Sequence, residues 1–357
     1  MSPKPRHCGA VRRRRYVKTV IRCGVATHAS RRSWWLSGAL VILTLLAGCG
    51  VTAADTPQQL PDDSVSANSS AEPPRIVASK QVKGRLWDVT VDSPAVGRPV
   101  PVRLLLPSRF ETAKSQRWPV LYLLHGCCDS YKAWTRSTDI EKRTRNSDLL
   151  VVMPEGGAAG FYSNWRSGPA WETFHLAELG SLLTQQYRAS DQRAIAGLSM
   201  GGLGALSYAA RNPGMFRVAA SFSGIVHTRL SDDHAQGYLN LVASQGEDPR
   251  ALWGDPDSDE EIWKTHNPYD LAPLLAGTAL FVSAGNGQPG PLDRDHGSSD
   301  EIEVSIGQEN EAFAKRLREL GLDAQVELYG AGTHNWVYWQ RELDHAWPLI
   351  TKELSLT

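Results

Sequence analysis

One serine lies in a setting that predicts a nucleophile. Residues 197–201 read Gly-Leu-Ser-Met-Gly, between an apolar run at 194–198 and a helix-forming stretch that starts at 202. A G-x-S-x-G motif between a strand and a helix holds its serine on a sharp turn that flanking glycines make room for. The helix N-terminus then points at a developing oxyanion. We therefore predict that Ser199 is the nucleophile of an acyl-transfer reaction.

A serine hydroxyl is a weak nucleophile at neutral pH, so the site also needs a general base. In the chain order that accompanies this motif, a histidine follows the serine and the acid. His334 lies in the glycine-rich segment 330–336, after the last apolar run, and we predict that it is the base. A structural histidine is the alternative. Four other histidines are expected on the surface or in an insertion: His227, His234, His266 and His296.

The acid that orients the histidine should follow the apolar run 279–283. Its role would be to hold His334 in one tautomer and to stabilise the imidazolium without taking the proton. Spacing along the chain does not choose among the candidates, which are Asp293, Asp295, Asp300, Glu301, Glu303, Glu309 and Glu311.

A second turn is predicted to bind the oxyanion. Residues 123–128 read Leu-Leu-His-Gly-Cys-Cys and end a strand in a glycine turn. We expect the backbone amide of Cys127 to act together with that of Met200. His125 is expected to support this loop.

The apolar pattern predicts the elements that position these residues. Continuous apolar runs alternate with amphipathic segments at 172–187, 201–212 and 309–320, which indicates a mostly parallel central sheet with helices on both faces. The first two runs are expected to form an antiparallel hairpin at the N-terminal edge of the sheet. Residues 226–271 read as an insertion over the carboxyl edge. The predicted runs are 86–91, 100–106, 120–124, 149–153, 194–198, 218–222, 279–283 and 324–329.

The charges of the chain are unevenly distributed. Residues 1–48 hold ten of the 38 Lys and Arg and no acid, which leaves 28 basic against 38 acidic residues and a formal charge of −10. Because the chain after residue 48 is this acidic, it would repel phosphate, and we expect no nucleic-acid partner.

The N-terminal region predicts export. Basic residues precede an apolar stretch at 34–48, which ends in Leu-Ala-Gly-Cys at 46–49. This order looks like a bacterial lipobox, which implies that Cys49 is acylated and holds the protein at the outer face of the cytoplasmic membrane. An uncleaved anchor is the alternative, although the run is short for a span of about 20 residues. The true translation start is also left open, because the basic segment is long.

Three segments follow from this interpretation: an export signal at 1–49, a disordered tether at 50–74 and a catalytic domain at 75–357. Of the five cysteines, only Cys127 and Cys128 then remain in the domain, and adjacent cysteines are expected to stay thiols because bridging them is strained. No metal-ligand spacing is present, and neither a metal nor a cofactor is expected.

Seven short segments carry a resemblance to a known family: 152–157, 161–165, 171–174, the serine motif, 285–287, 332–336 and 338–339. Together they resemble the esterase D and antigen 85 (mycolyltransferase) group of α/β-hydrolases, over roughly residues 80–350. The resemblance implies the α/β-hydrolase fold and selects Glu303 as the acid, because the group's glutamate lies seven residues before an Asn-x-x-Phe, here at 310–313. Asp300 is the runner-up.

Two departures bear on the acceptor of the acyl group. Trehalose mycolyltransferases carry an aspartate in the turn where this chain has His125, and the cysteine beside the group's Gly-Asn-Gly is Ala284 here. Both departures argue against the hypothesis that the chain transfers mycolyl groups to trehalose specifically. We therefore predict an exported serine carboxylesterase acting on an ester or acyl-lipid, with a cell-envelope acyltransferase and a non-catalytic binding lipoprotein as alternatives. The acyl chain, the acceptor and the oligomeric state stay open.

Overall fold

A computed structural model of the chain describes residues 72–294 and 297–356. The predicted export signal, Cys49 and residues 50–71 of the predicted tether lie outside the described residues. The same holds for Asp295, one of the seven candidate acids, and for His296. Residues 72–74 have no regular secondary structure, and the first strand begins at Arg75.

Nine strands form one mixed sheet in the order β1-β2-β3-β5-β4-β6-β7-β8-β9. The three N-terminal strands pair antiparallel, and from β5 to β9 every pair is parallel. The strands are β1 (Arg75–Lys83), β2 (Leu86–Ser93), β3 (Arg98–Leu105), β4 (Trp118–Leu124), β5 (Leu150–Pro154), β6 (Ala189–Leu198), β7 (Val218–Phe222), β8 (Ala279–Ala284) and β9 (Ala324–Leu328).

All eight predicted strands are present. Most are apolar runs that the sheet buries, whereas β9 is only partly buried and contains Gln325 and Glu327. The predicted antiparallel hairpin is present as β2 and β3, but it is not the outermost part of the sheet. β1 lies outside the β2–β3 hairpin, and it escaped notice because eight of its nine residues are exposed and carry no apolar alternation. The antiparallel N-terminal edge therefore contains three strands and not two.

Helices cover both faces of the sheet, as predicted. Successive residues of β4 point to opposite sides, so that Tyr122 packs in one core with Leu203, and Leu123 packs in the other with Leu343. The helices are α1 (Ala133–Ser137), α2 (Ile140–Arg143), α3 (Trp171–Thr173), which continues through a π-helical turn (Phe174–Glu178) into α4 (Leu179–Gln186), α5 (Met200–Arg211), α6 (Asp232–Ser244), α7 (Pro249–Trp253), α8 (Glu260–His266), α9 (Pro268–Leu271), which continues into a 3-10 turn (Ala272–Leu275), α10 (Glu301–Glu319) and α11 (Trp336–Glu353).

The predicted insertion consists largely of α6 to α9 and joins β7 to β8. Residues of α6 share a cavity with Ser199, which lies at the carboxyl end of β6, so the insertion reaches over that edge as expected. Within the described residues, no helix combines the length and the apolar character that crossing a membrane would require.

Candidate active site

Ser199 lies between β6 and α5 in a strained backbone conformation, with φ 54° and ψ −123°. Two glycines make this turn possible. A β-carbon on Gly197 would lie 2.1 Å from the carbonyl oxygen of Gly201, and one on Gly201 would lie 2.4 Å from that of Leu124. The amide of Ser199 donates to the carbonyl of Phe222 at 3.0 Å, which fixes the turn against β7. The side chain is thereby held at the end of the sheet, as the motif predicts.

The turn after β4 packs directly against this serine. A β-carbon on Gly126 would lie 2.7 Å from Leu198 Cδ1 and 3.1 Å from Ser199 Cβ, so a larger residue would have to displace these side chains. This packing brings the backbone of Cys127 beside Ser199, and both residues line one cavity. Met200, whose amide is the other predicted oxyanion donor, is the buried first residue of α5.

The structure corrects the expectation for the two cysteines of this turn. Cys127 and Cys128 form a disulfide and are not free thiols. Cys128 adopts a positive φ of 62°, and its amide donates to the carbonyl of Ala158 at 2.8 Å. This left-handed backbone lets two adjacent side chains meet, which is an arrangement that the sequence does not signal.

His125 supports the turn, as expected, and is buried. Its Nε2 accepts a hydrogen bond from the amide of Gly156 at 3.0 Å, which leaves Nδ1 as the protonated nitrogen that donates to the carbonyl of Gly126 at 2.8 Å. The side chain therefore joins the β4 turn to the segment after β5. Both ring nitrogens are used within the protein.

His334 and Glu303 form the central pair of the site. His334 Nδ1 lies 2.6 Å from Glu303 Oε2, and the carboxylate is fully buried. The indole of Trp339 packs edge-on against the imidazole, with ring centroids 5.0 Å apart. A carboxylate on Nδ1 orients the ring and leaves Nε2 as the nitrogen that can exchange a proton.

Three further donors hold Glu303. Its Oε1 accepts hydrogen bonds from the hydroxyl of Ser223 at 2.8 Å, from the amide of Gly285 at 2.6 Å and from the hydroxyl of Tyr329 at 3.4 Å. Ser223 has a positive φ of 44°, so the backbone after β7 is strained at this contact. Buried charges need such partners, and this set accounts for a buried carboxylate next to a histidine.

Of the six candidate acids that the structure describes, Glu303 alone contacts the imidazole of His334. Asp300 caps α10 and accepts from the backbone amide of His334, and Asp293 accepts from Thr333, Asn335 and Tyr338 in the same loop. Glu301 lines the mouth of the cavity, Glu311 is exposed, and Glu309 is buried away from the histidine.

Ser199 and His334 line a common cavity of about 460 Å³. Its far walls come from α6 and α10 and are mainly apolar, with Tyr238 and Leu241 on one side and Ile306 on the other. Sequence reasoning did not identify these wall residues. The insertion that carries Tyr238 and Leu241 shows weak periodicity, and Ile306 lies in α10 ahead of the amphipathic segment predicted at 309–320. A cavity of this size and character suits an acyl group.

Comparisons with known proteins agree with this geometry. A protein-family model described as "Putative esterase" matches residues 93–350. The esterase Rv1288 of Mycobacterium tuberculosis is 34% identical over 257 residues, which cover 70% of this chain and 55% of that protein, so the chain spans about half the length of this relative.

Two further proteins are similar over more of their length. The diacylglycerol acyltransferase/mycolyltransferase Ag85B of Mycolicibacterium smegmatis is 32% identical over 283 residues, covering 74% of this chain and 84% of that protein. The crystal structure of Mycobacterium tuberculosis MPT51 matches with a TM-score of 0.61 and 26% identity, over 73% of this chain and 96% of that one.

Proposed function

The chain belongs to the esterase family, whose model matches it over residues 93–350, and from this membership we propose that it is an exported serine carboxylesterase. The family and the α/β-hydrolase fold predicted from the sequence are thereby confirmed. The proposal is supported chiefly by one observation. A buried carboxylate, Glu303, lies 2.6 Å from His334 Nδ1 at the wall of the cavity that Ser199 also lines.

In the first half of the proposed reaction, His334 Nε2 takes the hydroxyl proton of Ser199 as Oγ attacks the ester carbonyl carbon. The amides of Cys127 and Met200 donate to the oxyanion. Glu303 stabilises the imidazolium and keeps its own charge. When the tetrahedral intermediate collapses, the carbon–oxygen bond to the alcohol breaks, the alcohol leaves with the proton from His334, and the acyl group stays on Ser199.

In the second half, His334 takes a proton from water, and the resulting hydroxide attacks the acyl-enzyme. Collapse breaks the bond to Ser199 Oγ, which recovers its proton from His334 Nε2. The carboxylic acid is released and the enzyme returns to its starting state. No cofactor enters this scheme.

A second candidate function is acyl transfer to an alcohol of the cell envelope, such as trehalose or a glycolipid. It is favoured by the similarity to Ag85B of Mycolicibacterium smegmatis, named as a diacylglycerol acyltransferase/mycolyltransferase. His125 argues for water as the acceptor, because both of its ring nitrogens are engaged with the backbone of Gly126 and Gly156.

Export and lipid anchoring complete the proposal. The order Leu-Ala-Gly-Cys at 46–49 supports acylation of Cys49, and the polar segment up to residue 74 would separate the domain from the membrane surface. The measurement is metabolic labelling of the full chain with an alkyne fatty acid. Label should enter the wild type and be absent from Cys49→Ser. Equal labelling of both would refute the anchor.

The catalytic proposal is tested with a fluorophosphonate probe and peptide mapping on the wild type, Ser199→Ala and Glu303→Gln. We expect labelling at Ser199, none in the first variant and slower labelling in the second. A folded wild type that reacts with no fluorophosphonate would favour the third candidate, a surface lipoprotein that binds a ligand without turnover. Product analysis with trehalose present then separates hydrolysis from transfer.

A further inference from the structure

A second buried carboxylate lies on α10, and the reaction proposed above does not use it. Glu309 is fully buried. Its Oε2 accepts hydrogen bonds from the amides of Val226 and His227, each at 2.9 Å, and its Oε1 accepts from the hydroxyl of Tyr238. All three donors come from segments far from α10 in sequence, so the carboxylate joins separate parts of the chain.

Two of these segments form walls of the cavity. Val226 follows Ile225, which lines the cavity and whose amide donates to the carbonyl of Ser199 at 3.1 Å. Tyr238 lines the cavity from α6. Glu309 therefore holds both the backbone beside the nucleophile and the helix on the opposite wall.

The neighbouring residue strengthens this link. Asn310 Nδ2 donates to the carbonyl of Gly224 at 2.9 Å, in the same segment after β7. The helix that carries Glu303 thus fixes that segment by two successive polar side chains. No comparable polar contact to the hydroxyl of Tyr238 is present in the described part of the chain, so the position of this wall residue depends on Glu309.

We infer that Glu309 is a positioning residue that sets how well the cavity accepts longer acyl chains, an inference that rests on the proposed esterase function. A long acyl chain on Ser199 has to lie along Ile225, Tyr238 and Leu241. An acetyl group occupies only the space beside the serine. A substitution at Glu309 should therefore lower kcat/KM more for esters with longer acyl chains.

The charge of Glu309 changes near neutral pH. Burial raises its pKa to about 7, against the three hydrogen bonds that lower it. The groups that face it are Tyr238 of α6, whose pKa burial raises well above the ordinary value, and His227, whose ring stacks on Tyr269 and whose pKa burial lowers to about 4. Neither titrates near pH 7, and on α10 itself Glu303 is engaged with His334.

The charged and neutral forms of Glu309 differ in the number of hydrogen bonds that they can accept. The carboxylate accepts from all three donors, whereas the neutral acid must use one oxygen as a donor. Hydrogen bonds to a charged acceptor are also roughly twice as strong as neutral ones. The wall at Tyr238 should therefore be held more firmly above pH 7 than below it.

The test compares kcat/KM for p-nitrophenyl octanoate and p-nitrophenyl acetate below and above pH 7, using the wild type, Glu309→Gln and the matched control Glu319→Gln at the exposed end of α10. In Glu309→Gln, the octanoate value should fall about tenfold, mainly through KM, and the acetate value less than about twofold. The octanoate-to-acetate ratio should rise with pH in the wild type and in Glu319→Gln, and stay flat in Glu309→Gln.

A second variant guards against misfolding. Tyr238→Phe removes one donor and should shift the ratio in the same direction by about threefold, so it carries the test if the melting temperature shows that Glu309→Gln does not fold. Equal losses for both esters, or an unchanged pH dependence of the ratio in Glu309→Gln, would overturn the inference. A wild type that neither labels at Ser199 nor turns over either ester would instead overturn the proposed function.

Discussion

The carboxylate of Asp300 accepts a hydrogen bond from the backbone amide of His334 at 2.9 Å, through Oδ2. Its Oδ1 accepts from the amides of Ile302 and Glu303 and so caps α10. One side chain thus fixes the loop that carries the histidine to the first turn of the helix that carries the glutamate. This junction joins the two segments that meet in the 2.6 Å contact between His334 and Glu303.

Replacing Asp300 with Asn should separate its two roles. The amide oxygen of Asn still caps α10, but its NH₂ group cannot accept from the amide of His334. We expect Asp300→Asn to lower kcat/KM about tenfold, because the loss of one buried hydrogen bond misaligns the histidine. Asp300→Ala should in addition lower the stability of the fold by about 1 kcal/mol through the lost cap.

Steady-state kinetics and thermal melts check both expectations. Glu311→Gln is the matched control, since Glu311 is an exposed acid on the same helix and should leave both quantities unchanged. Wild-type kinetics in Asp300→Asn would show that the loop of His334 is held by other contacts.

Glu303→Gln should lower kcat by about 10²- to 10⁴-fold, because the amide cannot hold the histidine in the productive tautomer or stabilise the imidazolium. KM should change little, since Glu303 lies behind the histidine and does not line the cavity. Pre-steady-state hydrolysis of p-nitrophenyl acetate measures this loss. If the variant kept the wild-type kcat, Glu303 would have no role in the reaction.

The side chains of the two cysteines should contribute little to kcat, although both residues line the cavity beside Ser199. The proposed oxyanion donor is the backbone amide of Cys127, which survives a change of side chain. We expect the double substitution Cys127→Ser, Cys128→Ser to keep kcat within about fivefold of the wild type, well short of the 10²- to 10³-fold cost of removing an oxyanion donor. A loss of that larger size, in a variant whose melting temperature is normal, would mean that the disulfide itself holds the amide in place.

How far the sequence predicts this site depends on how local the signal is. Ser199 and His334 lie in short motifs whose neighbours already specify a turn and a glycine-rich loop. Glu303 has no such neighbours, and only the family resemblance selected it among seven acids. A physical signal was present nonetheless, because Glu303 lies in helical phase with the buried residues Ile306, Asn310 and Phe313.

Other features could not be predicted because they depend on tertiary contacts. The role of Glu309 follows from donors 71 to 83 residues away. The bond between Cys127 and Cys128 follows from a backbone conformation that the carbonyl of Ala158 helps to hold. Eight strands were visible as apolar runs, whereas β1 was missed because its residues are mostly exposed.

The buried carboxylate of Glu309 should also affect stability. Its pKa rises from 4.5 to about 7 on folding. Between these values the native chain binds a proton that the unfolded chain has released, so a rise in pH favours unfolding. We expect the free energy of unfolding of the wild type, relative to that of Glu309→Gln, to be highest below pH 4.5 and to fall as pH rises to about 7.

Chemical denaturation at several pH values measures this difference. Glu319→Gln again serves as the control, and its difference from the wild type should not follow the same curve. A difference between the wild type and Glu309→Gln that is flat across the window would mean that Glu309 titrates normally. The expected fall would show that the charged form of Glu309, which holds the cavity wall, lowers the stability of the fold.

The first strand has a consequence for association between copies of the protein. β1 ends the strand order, so one of its edges pairs with no other strand of the described chain. Open edges of this kind can template aggregation, and exposed lysines are a common safeguard. Lys80 and Lys83 are exposed along β1, and two such edges brought together would oppose like charges. We therefore expect the β1 edge to pair with a second copy less readily than an uncharged apolar edge would.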